Sequence, residues 1–401
     1  MPAILIFLGT YLVLAIGHMP GLRIDRTGAA IIGAALMVAA NVLTIEEAYQ
    51  AIHLDTIILL FGMMIVVANL RLSGFFALVS EWTVEHAHHP ITLLAAISVV
   101  SAALSAFFVN DTVCLVMAPL VAEVLANLRR NPVPYLLAVA MASNIGSVAT
   151  LTGNPQNMLI GSRSFSGISY TVFARALAPV AVVGVAVMMG VLLIVYRREF
   201  RRVERVHPEP RMIQVDRLLM LKALAISVGM VAFFFAGWPI AKVAIVAGAL
   251  LLITRRVHPE KVYAQVDWGL LVMFAGLFIV IAGLEKSSFE GDLMRFADRA
   301  HLDSAAVMTS AAAILSNIVS NVPAVLVFKP FMAHLTNPTL GWLRLAMAST
   351  LAGNLTILGS VANLIVVERT RDSARIGFWE YARAGIPVGC ITLAIGAWML
   401  R

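Results

Sequence analysis

Residues 107–119 read F-F-V-N-D-T-V-C-L-V-M-A-P, and residues 318–330 read I-V-S-N-V-P-A-V-L-V-F-K-P. Each is an apolar run broken at its centre by a polar knot: Asn110-Asp111-Thr112 in the first, Ser320-Asn321 with Pro323 in the second. An Asp at mid-bilayer costs about 2.5–3.5 kcal/mol even on lenient insertion scales. A chain that keeps such a knot twice needs it where irregular backbone lines a cavity rather than lipid. The pair therefore predicts a solute-binding site inside a membrane.

Working outward, the 401 residues are 60% hydrophobic and 13% charged, whereas soluble domains carry about 25% charged residues. Apolar stretches of roughly 17–25 residues, the length that spans about 30 Å of hydrocarbon, recur from end to end. Strand-type alternation is absent, which excludes a β-barrel. The expected class is an all-α polytopic membrane protein. The net charge of +7 does not point to nucleic acid, because Lys and Arg gather in a few loops, the positive-inside pattern. Cys114 and Cys390 lie in apolar helices and read as small buried hydrophobes. A zinc H-E-x-x-H, a phosphate loop and a G-x-S-x-G element are all missing, so neither an enzyme nor an ATP-driven pump is expected, and no cofactor.

Spans are predicted at 2–17, 27–43, 56–72, 134–158 and 171–196, with an amphipathic piece at 76–88 and two arms, 91–109 and 112–128, meeting at the first knot. The second half follows the same plan: spans at 218–236, 240–254, 267–284, 341–366 and 377–400, an amphipathic piece at 290–300, and arms 303–320 and 322–335. Residues repeat as well. Asp55 before I-V-V-A-N-L (65–70) echoes Asp267 before I-V-I-A-G-L (279–284), and Met141-Ala142-Ser143 echoes Met347-Ala348-Ser349. Thr150, Gly153 and Asn157 fall in register with Thr356, Gly359 and Asn363. The copies lie about half a chain apart, so the protein reads as two fused repeats. The first covers 1–200, with a hairpin at 91–128 and a broken helix at 134–160; the second covers 218–401, with a hairpin at 303–335 and a broken helix at 341–366. A basic cytoplasmic linker, 201–217, joins them.

If each pair of arms enters and leaves on one side, each half crosses about five times and the halves are inverted. With both termini outside a bacterial-type inner membrane, Arg23, Arg26, Arg71, Arg129, Arg130, the 197–217 loop, Arg255, Arg256, Lys261, Arg369, Arg371 and Arg375 all fall in the cytoplasm. Two full crossings per pair of arms would satisfy the charges equally well. Charge supports inversion without separating a re-entrant hairpin from two crossings.

The knots offer side-chain oxygens, free carbonyls and free N–H groups together, which suits cations at half-helix C-termini and anions at N-termini. A second wall comes from Thr152, Gly153, Asn154, Pro155, Gln156 and Asn157, where Gly153 and Pro155 prevent a regular helix. Its counterpart holds Thr356, Gly359, Ser360 and Asn363. Neutral hydroxyls and amides beside backbone dipoles suit an oxyanion or a partly dehydrated Na⁺, the latter near Asn110 and Asp111. The repeat mate of Asp111 is Val322 and that of Lys329 is Ala118. This asymmetry lodges proton or cation coupling at Asp111. Lys329 is a candidate charge partner, standing in for a cation, pairing an anionic substrate, or snorkelling to the outer surface. Asp55 and Asp267 begin spans and are expected to cap them.

With V-N-D-T, its downstream Pro119, and T-G-N-P-Q-N-M-L-I from Thr152 to Ile160, the sequence resembles the ion transporter superfamily. That group holds arsenite permeases, NhaD-type sodium–proton antiporters, and divalent anion/sodium symporters with their citrate-type relatives. Small bacterial anion- or citrate-type permeases are the most similar. The resemblance implies two re-entrant hairpins, two broken helices, an elevator-type motion and a homodimer. It also implies hairpin tips that bind Na⁺ and substrate through Ser-Asn-Thr motifs. Asn110 and Asn321 match that motif, while Asp111 and Val322 replace its Thr. The expected function is secondary transport of a small anion coupled to H⁺ or Na⁺. The alternative is a Na⁺/H⁺ antiporter that moves no anion.

Overall fold

The computed structural model describes residues 2–17, 23–85, 89–128, 130–163, 165–201, 215–287 and 301–401. The amphipathic piece expected at 290–300, and Arg202, Arg205 and Arg211 of the linker, lie outside these residues. The described chain is all-helical, without a strand. Among the described residues, six helices are long and apolar enough to cross a membrane, and six more are shorter apolar helices.

In the first repeat α1 (Pro2–Ile16), α2 (Arg26–Ala39), the short α3 (Ile45–Ala51) and α4 (Leu54–Leu72) lead to α5 (Phe75–Glu85). The hairpin arms are α6 (Pro90–Phe107) and α7 (Asn110–Asn127). The broken helix is α8 (Val133–Ser147) and α9 (Pro155–Gly161), followed by α10 (Tyr170–Val195) and the four-residue α11 (Arg197–Phe200). The second repeat runs α12 (Arg217–Phe235), α13 (Ile240–Leu252), α14 (Pro259–Tyr263) and α15 (Trp268–Glu285). Its hairpin is α16 (Ala305–Val319) and α17 (Asn321–Met332); its broken helix is α18 (Pro338–Leu351) and α19 (Val361–Arg369); α20 (Phe378–Met399) ends it.

Contacts between helix ends fix the inversion. The start of α12 meets the end of α4, where the Asp216 N–H donates to the Ser73 carbonyl at 3.1 Å. At the same level Arg71 Nη1 donates to Gln265 Oε1 at 2.6 Å, just before α15. At the other end Lys286, after α15, donates to Glu47 in α3, just before α4, at 2.6 Å. The repeat mates α4 and α15 therefore run in opposite directions. The second hairpin's arms have 15 and 12 residues, about 22 and 18 Å of helix. Neither spans about 30 Å of hydrocarbon. These arms enter and leave together, since the Thr336 N–H donates to Asp303 Oδ1 at 2.9 Å. The hairpin is re-entrant.

Asp267 caps α15, accepting from the Leu270 N–H at 2.9 Å. Asp55 caps nothing: it lies exposed in the first turn of α4, whose N-cap position is His53. Cys114 is buried as expected, but Cys390 is exposed, on the outer face of α20. The helix breaks also start earlier than the Gly-Asn-Pro signal suggests, since α8 ends at Ser147, before Thr152. The small α3 rests on a capping box, Thr44 with Glu47, that the span reading passed over.

The packing divides the helices into two groups. In one, α4 lies against α13 and α2 against α15; in the other, the hairpins wrap the broken helices together with α10 and α20. The first group is held by backbone-to-backbone approach at mated glycines. A Cβ at Gly62 would lie 2.6 Å from the Ala244 carbonyl carbon, and one at Gly276 would lie 2.7 Å from the Ala30 oxygen. Gly62→Ala is expected to destabilise the protein by roughly 1–3 kcal/mol through overpacking. Gly229→Ala, where nothing lies within 4 Å, serves as the control. Thermal unfolding in detergent reads both, and equal melting temperatures would refute the close approach.

Candidate functional site

Both hairpins turn at a non-glycine residue with positive φ, Val109 (φ 37°) and its repeat mate Ser320 (φ 78°). For a β-branched residue this is a strained conformation costing on the order of 1–3 kcal/mol, sustained only where surroundings fix it. The surroundings are visible. The Asn110 N–H donates to the Gly153 carbonyl at 2.9 Å, and Ser143 Oγ donates to the Asn110 carbonyl at 2.9 Å. Each turn thus delivers the N-terminus of the following arm to the interior, beside the unwound part of a broken helix.

The two repeats interlock by matched hydrogen bonds. Asn157 Nδ2 donates to the carbonyls of Ser147 and Thr150, both at 3.0 Å. Asn363 Nδ2 donates to those of Gly353 and Thr356, at 2.7 and 3.0 Å. All four acceptors and both donors correspond under one offset. Across the repeats, Asn154 Nδ2 donates to Thr350 Oγ1 at 3.2 Å and Ser360 Oγ donates to Asn144 Oδ1 at 2.9 Å. These bonds are also mates, so a pseudo-twofold axis passes between the broken helices. Asn144 is the hub. It accepts from Asn110 Nδ2 at 3.1 Å and donates to Asn354 Oδ1 and Asn363 Oδ1 at 2.9 and 3.0 Å.

A cavity of about 310 Å³ opens where the tips and breaks converge, within the size range of small-molecule sites. Asn110 and Asp111, Pro155 and Gln156, Ser320 to Pro323, and Ser360 and Val361 form its inner wall. Those residues are the N-termini of α7, α9, α17 and α19, whose first-turn N–H groups have no intrahelical acceptor. The three longer helices each direct a partial positive charge of up to about half a unit into the space. Oriented so that its nitrogen faces Ser316 Oγ (2.7 Å) and the Ser349 and Gly359 carbonyls (3.2 Å each), the Asn321 amide accepts from Gln156 Nε2 at 3.2 Å. Asn110 Oδ1 is buried and has no partner among the described residues. A smaller space of about 90 Å³ adjoins it, lined in part by Asp111, Thr112, Arg71 and Asp267.

Of the residues singled out from sequence, Asn110, Asp111, Pro155, Gln156, Ser320, Asn321, Pro323 and Ser360 line the main cavity, and Thr112 lines the smaller one. The others hold the walls in place. Thr152 shares a hydrogen bond with the Tyr170 hydroxyl at 2.9 Å. Gly153 packs on the Ser147 backbone with no room for a Cβ. Asn154 caps α9, accepting from the Asn157 N–H at 2.8 Å. Thr356 Oγ1 donates to Asn317 Oδ1 at 3.1 Å, and Gly359 abuts Asn317 and Gly353. Asn157 and Asn363 brace the unwound carbonyls already described. Lys329 is not in the lining: it pairs with Glu285 at 3.0 Å and sits 5.5 Å from the Phe165 ring centroid.

Sequence reading missed the far wall, which holds Asp25, Arg26 and Thr27 at the start of α2, and Asp267 and Gly269 at the start of α15. Thr27 Oγ1 joins the two helix starts by donating to the Gly269 carbonyl at 3.2 Å. The available signal was an acidic residue directly before each apolar span. Asp267 was legible as a cap and not as a cavity wall, and Asp25, which caps α2 in the same way, was not singled out.

Comparison with known proteins agrees with this architecture. The chain is 29% identical to the silicon efflux transporter LSI3 of Oryza sativa subsp. japonica, over 97% of this chain and 95% of that protein. It is 31% identical to a 46 kDa membrane protein of Mycobacterium leprae, over 98% and 96% of the two chains. The fold matches the crystal structure of the YdaH transporter of Alcanivorax borkumensis with a TM-score of 0.59, at 13% identity, over 99% of this chain and 95% of that one. The family described as citrate transporter, CitMHS, matches residues 10–352, so the chain is a membrane transporter and not an enzyme, and belongs to the CitMHS citrate transporter family.

Proposed function

We propose that the protein is a secondary active transporter of small anions coupled to H⁺ or Na⁺, with the hairpin and broken-helix group moving as an elevator against the α2/α4/α13/α15 frame. The observation that carries this reading is the convergence of helix N-termini and neutral amides on one cavity. Amide dipoles of that kind favour an oxyanion. Asp111 is the carboxylate on the moving side, and a proton or Na⁺ held by Asp111 and the unpartnered Asn110 oxygen lets an anion settle beside them. Asn110, Asp111, Gln156, Ser320, Asn321 and Ser360 touch the solute in this scheme. The starts of α2 and α15, which line the cavity, lie at the same end of the molecule as Arg71 and the start of α12, where the basic loops gather. The positive-inside rule then makes this the cytoplasmic face of a bacterial-type inner membrane, with both termini outside. A homodimer follows from the family resemblance.

The same cavity supports the second reading, a Na⁺/H⁺ antiporter, because it carries three carboxylates, Asp25, Asp111 and Asp267, against one guanidinium. Proteoliposomes on a sensor surface separate the two. Concentration jumps of citrate, sulfate, succinate, arsenite and NaCl are compared by transient current and pH change. A response to an anion supports the first reading. A response to Na⁺ alone, with opposite proton movement, overturns it.

A further inference from the structure

The far wall of the cavity holds one cationic side chain, Arg26, on the first residue of α2. It has an acidic neighbour in sequence and does not pair with it. Asp25 Oδ1 instead accepts the Gly28 N–H of its own helix at 2.8 Å. Asp267 is occupied in the same way by Leu270. Both carboxylates thus spend part of their charge on their own helix N-termini. The Arg26 guanidinium has no ion-pair or hydrogen-bond partner among the described residues, and its Nε is sealed from solvent. Behind it the chain turns at Gly17 (φ 86°), where a Cβ would meet Nε and Nη2 at 3.9 Å. A buried guanidinium nitrogen left unpaired is costly, and a planar fork of donors matches a carboxylate or other oxyanion in shape and charge. We infer that Arg26 is a specificity-determining residue that binds the charged oxyanion group of the substrate from the far wall of the cavity, selecting anionic solutes over neutral hydroxylated ones.

The fold adds a directional consequence. Arg26 stands on α2, which is joined to α15 by the close approach at Gly276 and by the bond from Thr27 to Gly269. It does not belong to the hairpin group. The repeat mate of α2 is α13, which starts at Ile240 after Pro239 and carries no charge in that place; its nearest cation, Lys242, is exposed. A site that moves with the hairpins meets Arg26 on one face and no equivalent on the other. Arg26 therefore raises anion affinity on the basic-loop face alone.

This inference rests on the anion-transport reading, and the test keeps the two apart. Wild type, Arg26→Gln and Arg26→Lys are reconstituted, and uptake of citrate, sulfate and uncharged silicic acid is measured from each face using oriented vesicles. Thermal unfolding of each variant checks that it is folded. The expected result for Arg26→Gln is a rise in KM for the transported anion of roughly 10–100-fold from the basic-loop face, the loss of a charge-assisted hydrogen bond. From the opposite face KM changes less than about twofold, and Arg26→Lys recovers part of the loss. If wild type moves no anion, the anion reading itself fails. If wild type moves an anion and Arg26→Gln matches it, or loses affinity equally from both faces, the role of Arg26 is refuted. Wild type moving silicic acid as readily as citrate refutes the selection.

Discussion

Asp111→Asn is expected to leave a folded protein that binds its anion with no dependence on the coupling cation. The cavity wall is formally acidic, with Asp25, Asp111 and Asp267 set against Arg26. Only Asp111 sits among the helix N-termini that would hold the solute. A unit anion about 5 Å from an ionised Asp111, at an effective dielectric near 20, is repelled by about 3 kcal/mol. Neutralising that carboxylate with H⁺ or Na⁺ removes the repulsion. Cation and anion then favour each other's binding, with a coupling on the order of 5–150-fold in affinity. Asparagine keeps the shape and is permanently neutral. Anion affinity measured by calorimetry across pH and Na⁺ concentration should vary in wild type and be flat in the variant. Accumulation against a gradient should disappear while downhill exchange persists. A variant that still shows wild-type cation dependence would move the coupling site to another carboxylate, Asp267 first, because it borders both cavities.

The reach of sequence reasoning follows from which forces act locally. Apolar length fixes a span without knowledge of its neighbours, and the observed helix limits fall within a few residues of those expected from hydropathy. Polar knots in apolar runs are costly enough to force an interior position, so Asn110, Asp111, Ser320 and Asn321 were legible as cavity residues. Asn154 and Asn157 were legible as unusual but not by role. A buried amide looks the same in sequence whether it faces solute or holds a carbonyl, and here both brace the unwound backbone. The far wall was illegible for a different reason. Asp25, Arg26 and Asp267 sit at helix starts where charge is ordinary. Only the tertiary approach of α2 and α15 to the hairpin tips makes them neighbours of the site. Lys329 shows the reverse: a rare intramembrane cation suggested a substrate partner, yet Glu285 from α15 accounts for it.

Asn144 is the residue whose loss should matter most for the structure. Its carbonyl oxygen accepts from Asn110 and Ser360, and its amide nitrogen donates to Asn354 and Asn363. An amide side chain offers two acceptor sites and two donors, so its capacity is filled, by partners from the first hairpin tip and from the break and second segment of the second broken helix. Asn144→Leu removes four bonds at once in a dry interior. Counted at roughly 0.6 kcal/mol, the average for interhelical bonds in a membrane protein, the loss is about 2.4 kcal/mol. Counted as four stranded polar groups at about 1–3 kcal/mol each, it exceeds about 4 kcal/mol. Either figure is a large part of a typical total stability of about 5–15 kcal/mol. Asn69→Leu is the matched control. Asn69 is equally buried, but its Nδ2 donates only to the Ile65 carbonyl within its own helix, and its Oδ1 has no partner among the described residues. Asn144→Leu should therefore lower the unfolding midpoint in detergent well beyond Asn69→Leu, and should also weaken anion binding because the first hairpin tip loses its hold on the broken helices. Equal midpoints would mean that the two repeats are held together by apolar packing, with the amide network contributing only local order.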